Sequence, residues 1–209
     1  MRTFTKLLVI VILGCTPEEG VPVQSALDLA SSKAVPAFEV DIWPGEGIPI
    51  VNAAHVNLPL REAPNTSAAI VGRLTTKAGE RIRYDSTRFQ TVRPAVVRIT
   101  GEAAVRGRSL GTLRHLSRDE YYSNAFPDTT ISLNPSVAME YLQYRAEGTC
   151  FVRIGNQVVD ADPCPIMDTT KFSVTGKPET LWWIRALGST VSGWLLISDT
   201  TATVVDRTF

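Results

Sequence analysis

The chain has 209 residues, 44% of them hydrophobic and 20% charged, with 21 basic side chains against 21 acidic ones. That balance carries no global signal for nucleic acid or any other polyanion, and the length suffices to bury one comfortable core or two small ones.

Arg2 and Lys6 flank the start of the apolar run Leu7-Leu8-Val9-Ile10-Val11-Ile12-Leu13, which ends at the small residue Gly14. This is the order of a secretory signal peptide. Seven residues rise only about 10 Å as a helix against the roughly 30 Å of a bilayer core, so the segment is too short to span one. The ending Ile12-Leu13-Gly14-Cys15 resembles the lipobox of bacterial lipoproteins. The resemblance implies that residues 1–14 are removed and that Cys15 carries diacyl chains such as palmitate. The protein would then be held to a bacterial membrane, facing the periplasm or the exterior. Loss of Arg2 and Lys6 leaves the mature chain two charges negative.

From Cys15 to Phe38 the sequence turns polar and irregular, with Pro17, Pro22, Pro36 and the run Glu18-Glu19-Gly20. It reads as a flexible tether with a reach of about 25 Å, interrupted at most by a weak helical turn over residues 25–33. With Cys15 lipidated, Cys150 and Cys164 are an even pair in an oxidising compartment, and a disulfide is the expected state. Its loop of about fifteen residues is worth roughly 3 kcal/mol in the chain-entropy model. Zinc is the rival reading, but it needs more ligands, and His55 and His115 lie far off in sequence.

From residue 39 onward the apolar pattern has a period of two. Val96-Val97-Arg98-Ile99 follows Pro94, and Met139 to Tyr144 follows Pro135. Phe151 to Ile154 is joined by Gly155-Asn156 to Gln157-Val158-Val159 as a tight hairpin, and Leu181 to Ala186 pairs with Gly193 to Ile197. Short strands at this spacing predict an all-β fold, a sandwich or barrel, with no long amphipathic helix.

Leu58-Pro59-Leu60-Arg61-Glu62-Ala63-Pro64, followed by Ile70-Val71-Gly72-Arg73-Leu74, resembles the opening of a bacterial SH3-like domain. Trp182-Trp183-Ile184-Arg185 and Gly193-Trp194-Leu195-Leu196 resemble the hairpin that closes such a barrel. More than a hundred residues separate the two matches. Either one barrel carries a long β-rich insertion, or two barrels stand side by side. The second arrangement is expected, with domains at 39–134 and 135–209 divided near Asn134-Pro135. The resemblance implies a non-catalytic module that binds peptidoglycan or an envelope partner protein, without cofactor, metal or nucleic acid.

Residues with chemical potential are few. Gly107-Arg108-Ser109-Leu110-Gly111 fits the nucleophile-elbow pattern of α/β-hydrolases, but that motif needs a strand-to-helix turn and an acid before its histidine. No acid lies between Ser109 and His115, and a turn between strands is the simpler account. No histidine follows Cys150 or Cys164, which excludes the usual cysteine-peptidase pair. The adjacent pairs Tyr121-Tyr122 and Trp182-Trp183 are the binding candidates, since neighbours on a strand point to opposite faces and one ring of each pair can face outward. The segment from Arg73 to Arg118 holds eleven basic residues against Glu80, Asp85 and Glu102. It serves as a solvated face, as a patch for anionic envelope polymers, or as the complement of the acidic remainder of the same protein.

Overall fold

The computed structural model describes residues 36–45, 48–123 and 125–205. The segments expected to be a signal peptide and a tether, with Cys15 between them, lie outside the described residues as far as residue 35. The described residues form sixteen strands, several of them with apolar and polar residues in alternation. Ala95–Ile99, with the sequence AVVRI, buries every second side chain, as a strand with one wet face should.

The strands are β1 (Phe38–Val40), β2 (Ile50–Ala53), β3 (Leu58–Arg61), β4 (Ile70–Leu74), β5 (Tyr84–Arg93), β6 (Ala95–Ile99), β7 (Ala103–Ser109) and β8 (His115–Leu116). After the five-residue helix α1 (Arg118–Tyr122) come β9 (Asp128–Leu133), β10 (Met139–Tyr144), β11 (Cys150–Ile154) and β12 (Gln157–Ala161). A single 3₁₀ turn at Pro165–Met167 precedes β13 (Phe172–Thr175), β14 (Glu179–Leu187), β15 (Ser192–Ile197) and β16 (Ala202–Val205). The protein is therefore all-β, as its periodicity predicts.

Two seven-stranded sheets carry the fold, in the orders β4-β3-β15-β14-β5-β1-β8 and β13-β6-β10-β11-β12-β7-β9, and β2 pairs with β16 in a small third sheet. The chain leaves the first sheet at Pro94, between β5 and β6, where proline's missing N–H interrupts the ladder. It returns between β13 and β14 through Gly176 and Pro178. Residues 95–175 thus build the second sheet, except for β8, which rejoins the edge of the first. The division expected near Asn134-Pro135 falls inside this second sheet, between β9 and β10. Sequence order misleads here because strands distant along the chain, β5 and β14, pair along almost their whole lengths.

The two segments quoted for the SH3-like resemblance are neighbours in space. Trp194 of β15 stands opposite Arg61 of β3, and β14 pairs with β15 from Trp182↔Ile197 to Leu187↔Ser192. Gly193 makes this approach possible, because a Cβ there would lie 2.9 Å from both the Arg61 carbonyl oxygen and the Leu60 Cβ.

Apolar side chains gather on both sides of the first sheet. Ile184, Leu195, Leu58 and Leu60 pack with Val51 and Ala202 of the small sheet, whereas Leu181 and Trp183 pack on the opposite face. This is the face assignment that alternation predicts for the Trp182-Trp183 strand. Phe38 and Val40 meet Leu142, Phe151 and Val158 where the two large sheets face each other, and the rings of Phe38 and Phe151 are 5.1 Å apart. Within the second sheet, Val97, Val152 and Val159 surround the Cys150–Cys164 disulfide, whose Cα atoms are 5.1 Å apart.

Candidate functional site

The Tyr121-Tyr122 pair sits on α1, not on a strand. Ser117 caps this helix: its Oγ accepts from the Glu120 N–H at 3.2 Å, and Glu120 Oε2 accepts from the Ser117 N–H at 2.9 Å and from its hydroxyl at 2.6 Å. These bonds hold the Glu120 carboxyl below the usual glutamate range. The Ser117-x-x-Glu120 spacing is the sequence signal of a capping box, and reading the segment by period two overlooked it. No residue of α1 is fully buried, and Tyr121 is its half-buried contact with the core cluster of Phe38, Leu142 and Phe151.

What fixes it is Tyr121. Its ring lies 4.7 Å from the Arg108 guanidinium and 4.9 Å from that of Arg145, and Arg108 also donates to the Tyr121 carbonyl at 3.1 Å. Both arginines are held in turn by Asp160, a buried carboxylate that they reach at 2.6 and 3.0 Å. Gly107 lets β7 come close enough to β12 for this pairing, since a Cβ there would overlap the Asp160 carbonyl oxygen. Tyr122 then stands edge-on to Tyr121, ring centroids 5.0 Å apart, and is 68% exposed.

Tyr122 lines a cleft of about 500 Å³ between α1, the end of β1 and the first half of β5. Trp43 and Trp194 contribute further rings, and Ser86, Thr87 and Ser117 contribute hydroxyls. Asp41 anchors one end: Arg88 donates to its two oxygens at 2.6 and 3.0 Å, and His115 Nε2 lies 2.9 Å from Oδ2. Burial opposes the charge on Arg88, but the hydrogen bond and charges of Asp41 and Glu39 outweigh it and raise its pKa. The Arg88 guanidinium also lies 5.6 Å from the centroid of the Trp194 ring. At the other end Tyr84 donates its hydroxyl to the Pro49 carbonyl at 2.6 Å, and burial raises its pKa further above the titration range of neutral solution.

The four aromatic candidates therefore separate. Trp183 is fully buried and Trp182 is half-buried against Trp43, ring centroids 4.1 Å apart. Tyr121 is the clamped support, and Tyr122 alone of the four lines the cleft. Trp43 and Trp194, which are not among those four candidates, complete it.

Among the described residues, three of the eleven basic side chains of the segment from Arg73 to Arg118 form ion pairs. Arg88 pairs with Glu39 and Asp41, Arg93 with Glu179 and Arg108 with Asp160, all acids outside that segment. Ser109 ends strand β7 and its hydroxyl accepts from Gln157 Nε2 at 2.6 Å, whereas His115 is engaged with Asp41, so the two are not joined as nucleophile and base. Among the described residues no three His, Cys, Asp or Glu side chains gather where they could hold a metal ion. Among the same residues no helix is long and apolar enough to cross a membrane. No family model, no curated protein and no solved structure matches the chain.

Proposed function

We propose that the protein is a non-catalytic, lipid-anchored envelope lipoprotein built on an SH3-like unit with a β-rich insertion. It binds peptidoglycan or an envelope partner protein through the cleft between α1 and β5. The observation that carries this reading is Tyr122. An exposed ring supported from behind by Tyr121, Arg108, Arg145 and buried Asp160 is an ordered contact surface, and it opens onto further aromatic and polar groups. The address comes from the lipobox resemblance at Cys15. The test is retention of the full lipidated protein, solubilised in detergent, on purified sacculi with and without their bound proteins. Retention on stripped sacculi assigns the ligand to peptidoglycan, and retention on the protein-bearing form alone assigns it to a partner.

A purely structural or assembly role has one observation in its favour. Ile70 and Val71, adjacent on the edge strand β4, are 52% and 45% exposed.

A further inference from the structure

Strand β5 extends over ten residues, and β14 pairs with it from Tyr84 to Arg93 on one side. On the other side β1 pairs only with Phe89 to Thr91, because the chain turns out of the strand after Val40. Alternation fixes which backbone groups this leaves open. Glu39 and Asp41 donate their N–H groups away from β5, to the carbonyls of Arg114 and Leu116. The groups of Val40 therefore face Phe89. Two residues from Phe89, the N–H and C=O of Thr87 face the same side, past the end of β1 and toward the cleft that Thr87 lines. Among the described residues no backbone group meets them.

We propose that the cleft binds a short extended oligopeptide of three or four residues, added to β5 as a strand in the place where β1 stops. The proposal rests on the reading of this cleft as the site for an envelope component, and it names the ligand as peptide and not glycan. An open strand edge is satisfied by another backbone, which offers N–H and C=O groups in alternation as a sugar does not. The open stretch from Tyr84 to Arg88 is about 14 Å long at strand rise; its register against β14 shifts between Ser86 and Tyr84, so an added strand pairs regularly beside Ser86 to Arg88 and its remaining residues run on past the irregularity into the cleft. The Asp41–Arg88 pair bounds it at one end and the Tyr84–Pro49 bond at the other, so a longer strand does not fit. Arg118 and Asp119 line the same cleft and form no ion pair among the described residues, leaving one cation and one carboxylate for charged side chains or chain ends.

The test uses the detergent-solubilised full chain and a randomised library of N-acetyl tetrapeptide amides. The strongest binder is titrated by tryptophan fluorescence, then re-tested after N-methylation of each residue in turn. The expected results are at least tenfold weaker binding on methylation of the residue that faces Thr87 and a similar loss in Tyr122→Ala. Slower hydrogen exchange over residues 84–88 should accompany binding. Binding indifferent to N-methylation would overturn the proposal, as would selection of no peptide by protein that sacculi still retain. Displacement of the peptide's role by a tetramer of N-acetylglucosamine, bound tightly where no peptide binds, would overturn it in favour of glycan. Failure of the envelope reading itself appears separately, as no retention on either form of sacculi.

Discussion

The Trp183 indole donates its Nε1–H to Gln90 Oε1 at 2.8 Å, between side chains 93 residues apart that are 0% and 5% exposed. Gln90 also donates to Glu39 Oε1 at 3.1 Å and to the Pro64 carbonyl at 2.9 Å, so one amide ties β14, β1 and the loop after β3 together. Truncating Trp183 to Ala removes a large core side chain and should cost about 3–5 kcal/mol. Gln90→Leu leaves the indole N–H buried without an acceptor and should cost about 1–3 kcal/mol. Urea unfolding of the two variants checks both values, and small, equal effects would mean that this strand is not part of a core.

Asp160 holds two arginines, and the arginines hold Tyr121. Asp160→Ala leaves two cations facing each other beside an apolar interior and should cost about 3 kcal/mol. The exposed Asp128, close by in the same groove, should tolerate the same change within about 0.5 kcal/mol. The comparison is made by chemical denaturation, and equal effects of the two substitutions would remove the basis for calling Tyr122 supported.

The capping box makes a prediction about pH. The carboxyl of Glu120 titrates below the ordinary value of 4.5 because Ser117 donates to its charged form. A depressed folded-state pKa means that this contribution is present above the unfolded value and is lost as pH falls through the folded one. The seating of α1 should therefore loosen only in acid, below the ordinary glutamate range. Ser117→Ala should move the Glu120 titration back upward in a carboxyl-detected NMR titration; an unchanged midpoint would contradict the box.

The fold class, the Gly155-Asn156 hairpin, the pairing of β14 with β15 and the Cys150–Cys164 bond were all legible in the sequence, because each depends on local alternation or on simple cysteine arithmetic. The domain division was not. Strand β5 pairs with β14 across more than eighty residues, and nothing in either strand's own pattern states which distant partner completes its sheet. The cleft was legible only in part. Tyr122 stood out as one of a doublet, but Trp43 and Trp194 come from segments joined only by the folded sheet, and the open edge at Thr87 depends on where β1 stops.

Processing at Cys15 has its own test. Cys15→Ala should accumulate as a precursor of higher mass that retains Met1 to Gly14, whereas the parent chain should begin at a lipid-bearing cysteine. Normal maturation of the variant, read by intact-mass spectrometry, would contradict the lipobox reading.

The most direct test of envelope binding through the α1–β5 cleft compares Tyr122→Ala with Tyr144→Ala, a tyrosine 47% exposed on β10 that does not line the cleft. Each protein, expressed from the full sequence, is solubilised in detergent and sedimented with purified sacculi, both protein-bearing and stripped. The parent and Tyr144→Ala should be retained alike on at least one form, and Tyr122→Ala should bind at least tenfold more weakly at unchanged thermal stability. Equal retention of all three proteins, or retention of none, would contradict the account.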